Sequence, residues 1–135
     1  MLCGEQGASG LDLCHACRLD LPIIEAACTR CAIPLPVAHQ HGSLCGPCQT
    51  DPPAFAHCLA PFAYHAPLDH LLKDLKFNRR LVLARTLGAL MAQWLEGRTN
   101  GLPERIIPVP LHPARLRERG FNQSLELAHP IARRL

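Results

Sequence analysis

The chain has 135 residues, a formal charge of +3 and a composition that is 48% hydrophobic but only 4% aromatic. That length suffices for one ordinary domain, or for a small stapled module followed by part of a larger one. No stretch reaches the roughly 18 uninterrupted apolar residues of a membrane-spanning helix, and so small a net charge points to no particular partner.

All eight cysteines lie between Cys3 and Cys58, so the two halves of the chain are expected to be held together by different physics. Residues 1–50 are rich in Cys, Gly and Pro and show no sustained helical or strand period. A segment of that size buries too little apolar surface to fold alone and is commonly stapled by disulfides or a metal. Glu5, Asp12, Arg18 and Asp20 interrupt any apolar signal-peptide core, so the chain reads as cytoplasmic. In a reducing compartment clustered cysteines favour metal over disulfides.

Three C-x-x-C pairs are present: Cys14/Cys17, Cys28/Cys31 and Cys45/Cys48. Such a turn sets two thiolates at adjacent corners of a zinc tetrahedron, with sulfur about 2.3 Å from the metal. Cys28, Cys31, Cys45 and Cys48 therefore form the expected closed zinc site, with Gly46 easing the second knuckle. Zinc suits an all-thiolate set best, although iron takes the same geometry. Cys3, Cys14 and Cys17 form a weaker, three-thiolate set, and one zinc plus a possible second is the expected content. His15 is expected to point to solvent, as are His39 and His41 in the loop between the second pair of knuckles. Cys58 lies in an expected strand as a small core residue.

Residues 51–54 read as a stiff linker because of Pro52 and Pro53, and residues 55–135 as the second domain. A strand is expected within residues 54–64. One helix then presents Leu68, Leu71, Leu72 and Leu75 on one face, and a second presents Leu83, Leu87, Leu90, Met91 and Trp94. Gly97 and Gly101 stop the second helix. Residues 105–110 have the apolar run of a buried parallel strand, weakened by Pro108. His112 to Gly120 is read as a basic loop, and Asn122 as the N-cap of a last helix holding Leu125, Leu127, Ile131 and Leu135. Pro130 is expected to kink that helix or delay its start. The chain stops in helical register at Leu135, so it reads as a fragment. Ten of the fourteen basic residues fall at or after Arg79, all of them arginines. The planar guanidinium groups of Arg115, Arg117 and Arg119 suit phosphate oxygens. With so few aromatic side chains for base stacking, nucleic-acid binding is expected to be weak or indirect.

The cysteine pairs, then Pro52-Pro53-x-Phe55, Lys76-Phe77, and Ile107-Pro108-Val109-Pro110-Leu111-His112 with Arg115, Arg117 and Arg119-Gly120-Phe121-Asn122-Gln123, resemble the ComF family over nearly the whole chain. The resemblance implies an α/β fold: a double zinc ribbon over residues 1–50, then an incomplete domain similar to type I phosphoribosyltransferases. It implies a part in natural transformation, with a competence helicase and single-stranded DNA as partners. Asn122 and Gln123 join the three arginines as the phosphate or nucleic-acid site that the family string suggests. Two departures stand out. Only the second cysteine of the family's first C-x-x-C is present, as Cys3. The acidic pair and Thr-Gly turn that hold phosphoribosyl diphosphate are absent from these residues, so no catalytic residue is assigned and the chain is expected to be inactive alone, with Mg²⁺ needed only by an active full-length domain. The alternatives are a truncated phosphoribosyltransferase of nucleotide salvage and a zinc-ribbon module that docks another protein.

Overall fold

The structure is a computed structural model that describes residues 3–36, 42–97 and 103–135. The expectations for His39, His41 and Gly101 lie outside the described residues. Among the described residues six helices form in chain order: α1 (His15–Leu19), α2 (Gly46–Thr50), α3 (Leu68–Phe77), α4 (Leu81–Glu96), α5 (Pro113–Arg119) and α6 (Gln123–Arg134). Two isolated antiparallel bridges, Ile23 with Phe62 and Ala27 with Pro34, are the only β pairings among the described residues. The described chain is thus mostly helical, and the expected α/β character is corrected accordingly.

Both expected strands are absent. In residues 54–64 only Phe62 pairs, through its one bridge, and residues 105–110 join no ladder. A strand is stable only beside another strand. Neither segment has such a neighbour among the described residues, and Pro61, Pro108 and Pro110 each lack a donor. Cys58, expected in a core, is exposed for the same reason.

Contacts gather the chain into two compact units, Leu21–Leu68 on the one hand and Met1–Asp20 with Asp69–Leu135 on the other. In the smaller unit, backbone bonds from Ile24 to the Pro61 carbonyl (3.0 Å) and from Ala63 to the Pro22 carbonyl (2.8 Å) flank the Ile23–Phe62 bridge. Its buried residues include Leu21, Ala32 and three cysteines.

The larger unit is a helical core. Leu71 and Leu75 of α3 and Leu83, Leu87 and Leu90 of α4 are buried, as their spacing predicts, while Met91 and Trp94 are half-buried. Gly97 caps α4 at its C-terminus. Helix α4 packs on α6, where Ala128 and Ile131 are buried. Gly88 makes this approach possible: a Cβ there would lie 2.7 Å from the Leu127 carbonyl oxygen and 2.9 Å from Pro130 Cγ. Arg134 closes the end of the same pair by bidentate donation to the Glu96 carboxylate at 2.6 and 3.0 Å. Asp12 ahead of α1 and Arg18 within it tie the start of the chain to this unit too, through an Arg85–Asp12 ion pair and donation from Arg18 to Gln93 Oε1 at 3.0 Å.

The basic segment after His112 is a helix, not a loop. His112 Nδ1 accepts from the Ala114 amide at 3.2 Å, Pro113 occupies the first turn, and Gly120 closes the helix in the left-handed region at φ +79°. Proline at the start and glycine just past the end are the residues that favour helix entry and exit. Asn122 caps α6 as expected, its Oδ1 accepting from the Ser124 amide at 2.9 Å. Pro130 does not delay that helix, which begins at Gln123 and continues past it.

Candidate metal centre

Cys28 and Cys31 sit on a tight hairpin. The Ala27–Pro34 bridge is flanked by bonds from Leu35 to the Ala26 carbonyl and from Cys28 to the Ile33 carbonyl, both 2.9 Å. The reversal ends at Ala32, whose φ of +61° lets its amide reach back to the Cys28 carbonyl. Cys45 and Cys48 come from a different element. Cys45 is the N-cap of α2 and Cys48 lies on its first turn beside Pro47, so one helical turn sets the spacing of the pair. A bond from the Thr29 amide to the Ser43 carbonyl at 3.2 Å ties the two knuckles together.

The four sulfurs all lie within 4.8 Å of one another, with Cys31 and Cys45 Sγ 3.6 Å apart. A zinc tetrahedron with 2.3 Å bonds has edges of about 3.8 Å, whereas a disulfide needs about 2.05 Å. All these cysteines are free. Cys28, Cys45 and Cys48 are buried and Cys31 is partly so. Burial opposes ionisation of Cys28, but the backbone amides of Cys45, Cys31 and Arg30 outweigh it and bring that thiol to about 6. Burial, then the hydrogen-bonding thiols of Cys45, Cys31 and Cys28, push Cys48 up to about 12. One thiolate is favoured at Cys28 while Cys48 resists ionising, as burial in a dry pocket of hydrogen-bonded thiols requires. A divalent cation removes that conflict, so the donor set fits zinc.

The second set follows the same plan in the other unit. Cys14 is the N-cap of α1 and its Sγ accepts from the Cys17 amide at 3.4 Å. Cys3 Sγ lies 3.4 Å from Cys14 Sγ, and Gly4 after Cys3 has a φ of +83°. Cys3, Cys14 and Cys17 therefore repeat the roles of Cys31, Cys45 and Cys48. These three sulfurs also lie within 4.8 Å, but Cys3 is exposed and Cys17 alone is buried. Hydrogen bonds to Cys3 and Cys14, with burial, raise the Cys17 thiol to about 11. His15, between the paired cysteines, is exposed and outside the set.

The arginine string is arranged by α5. Residues four apart share a helix face and residues two apart do not, so Arg115 and Arg119 lie together and Arg117 points elsewhere. Arg115 Nη1 meets Glu118 Oε2 at 3.0 Å, and Arg119 Nη1 donates to Gln123 Oε1 at 3.0 Å. Asn122 Nδ2 donates to the Val109 carbonyl at 3.0 Å while its oxygen caps α6. Sequence reasoning missed two neighbours of this face: the Arg119 guanidinium sits 5.4 Å from the centre of the Phe77 ring, and Arg79 donates to the Glu118 carbonyl at 3.2 Å. Lys76-Phe77 stood out in the sequence, but nothing local to it signals a partner some forty residues on.

Comparison with known proteins agrees with the cysteine geometry. The double zinc ribbon domain family matches residues 1–51. The chain is 37% identical over 125 residues to the DNA utilization protein YhgH of Shigella flexneri, covering 90% of this chain and 54% of that protein. It is 36% identical over 125 residues to YhgH of Escherichia coli strain K12, with the same coverage. Competence protein F of Haemophilus influenzae is 32% identical over 125 residues, 90% of this chain and 53% of that protein. The chain thus spans about half the length of the curated relatives it matches. No solved structure matches. Among the described residues no helix is long and apolar enough to cross a membrane.

Proposed function

We propose, from the ComF-family assignment that the double zinc ribbon and these relatives support, that this chain is a zinc-stapled part of a protein acting in the uptake and use of DNA. The likeness carries this reading because it runs through 125 residues, 90% of the chain, and so extends well beyond the cysteine-rich part into the helical part. In the same reading residues 1–50 serve as the double zinc ribbon, 51–54 as a linker, and 55–135 as the opening part of a phosphoribosyltransferase-like domain. The protein works in the cytoplasm on incoming single-stranded DNA, beside the helicase that draws it in. Arg115, Arg117 and Arg119 meet phosphate oxygens there, while the zinc sites hold the ribbon in shape. These residues carry no acidic pair with a Thr-Gly turn, so the reading asks no transfer of phosphoribosyl groups from them.

The test is genetic. Deleting the gene from its host should lower the recovery of transformants, or growth on exogenous DNA, by about ten-fold or more, with restoration by the intact gene. Unchanged recovery and growth would refute the proposal.

A further inference from the structure

Phe77 ends α3 and is 63% exposed, although it belongs to the most apolar class of side chain. It is not bare surface. The Arg119 guanidinium lies over it at 5.4 Å, within the range of a cation–π contact. Arg119 is itself held by Gln123, so the layered pair is fixed from the α6 side. The residue two places on from the ring, Arg79, adopts a φ of +53°. That left-handed turn brings its guanidinium to the Glu118 carbonyl at 3.2 Å, next to Arg119 in the chain. Arg115 reaches the carboxylate of the same Glu118 at 3.0 Å. One guanidinium thus lies over the exposed aromatic ring, and two more are joined to Glu118, the residue before Arg119 in the chain.

We propose that Phe77 and Arg119 form a stacking platform for one base of a single-stranded nucleic acid, with Arg79 and Arg115 meeting its flanking phosphates. The inference rests on the DNA-related reading above and adds to it the residues that touch the strand. Aromatic rings bind unpaired bases face to face, without regard to sequence, and guanidinium planes extend the same stack. A purely apolar docking patch would not cover its ring with a guanidinium group. A purely electrostatic track would not keep a phenylalanine exposed.

The zinc-loaded chain is titrated with an oligonucleotide carrying one 2-aminopurine and with a matched abasic strand, following anisotropy and base fluorescence at several salt concentrations. The wild-type chain should quench the 2-aminopurine and prefer the base-bearing strand. Phe77→Leu should weaken binding about ten-fold and abolish the quench, and Phe77→Tyr should keep both. Arg79→Gln with Arg115→Gln should instead flatten the log–log salt slope by about 1.4 while leaving the quench at saturation. Circular dichroism of each variant checks that the helices persist. Wild-type binding with Phe77→Leu unchanged, or equal affinity for the abasic strand, overturns the platform and leaves the DNA-related reading standing. No binding of any strand by the wild-type chain overturns the platform whatever the genetic test shows.

Discussion

Thr86 lies on the buried face of α4 with 3% of its surface exposed, and its hydroxyl finds no partner among the described residues. A buried polar atom without a hydrogen bond costs about 1–3 kcal/mol. Valine has nearly the same shape and a similar helix propensity. Thr86→Val should therefore stabilise the helical unit by about 1 kcal/mol, read as a higher urea midpoint at unchanged slope. A lower midpoint would show that the hydroxyl is satisfied. The same scale governs the knuckles. Gly4 and Ala32 both turn through positive φ immediately after a cysteine, which aims the thiol of the hairpin knuckle back at the helix-capping pair.

At the scale of elements, the pairing of α4 with α6 depends on one missing side chain. Gly88→Ala places a methyl group 2.7 Å from the Leu127 carbonyl oxygen. Backbone cannot yield as a side-chain tip can, so the helices must separate. The overpacking cost of about 1–3 kcal/mol exceeds the gain of up to about 1 kcal/mol from replacing glycine in a helix. A lowered melting temperature for Gly88→Ala, with Gly97→Ala near neutral at its open site, is the expected result. Equal behaviour of the two would show that the helices are looser than described. Much at this scale was legible in the sequence. The leucine spacing of α3 and α4 and the Asn122 cap are local patterns, and each turned out as its pattern predicts. The expected strands were not reliable, because apolar runs such as 105–110 specify strand only when another strand lies beside them. The helix α5 carried its own signals in Pro113 and Gly120, which the density of arginines masked.

At the scale of the molecule, each thiol set belongs to a different compact unit: Cys28, Cys31, Cys45 and Cys48 to Leu21–Leu68, and Cys3, Cys14 and Cys17 to the unit that contains the long helices. The C-x-x-C spacings revealed the sets, but not this division, since the ties of Asp12 to Arg85 and Arg18 to Gln93 span more than seventy residues. The consequence is separable. Cys17→Ser should lower hydrogen-exchange protection in α4, and Cys48→Ser should lower it only within residues 21–68. If residues 1–50 instead behave as one module, Cys17→Ser will leave the protection of α4 unchanged.

The four-thiolate site is central to the smaller unit, because metal binding supplies folding free energy that so small a unit otherwise lacks. X-ray absorption at the zinc edge, combined with elemental analysis of the purified chain, tests it directly. At least one zinc per chain in a shell dominated by sulfur at about 2.3 Å is the predicted result, and it should fall by one site in Cys45→Ser. Less than about half a zinc per chain, with Cys28, Cys31, Cys45 and Cys48 all free to react with a thiol reagent, would contradict it.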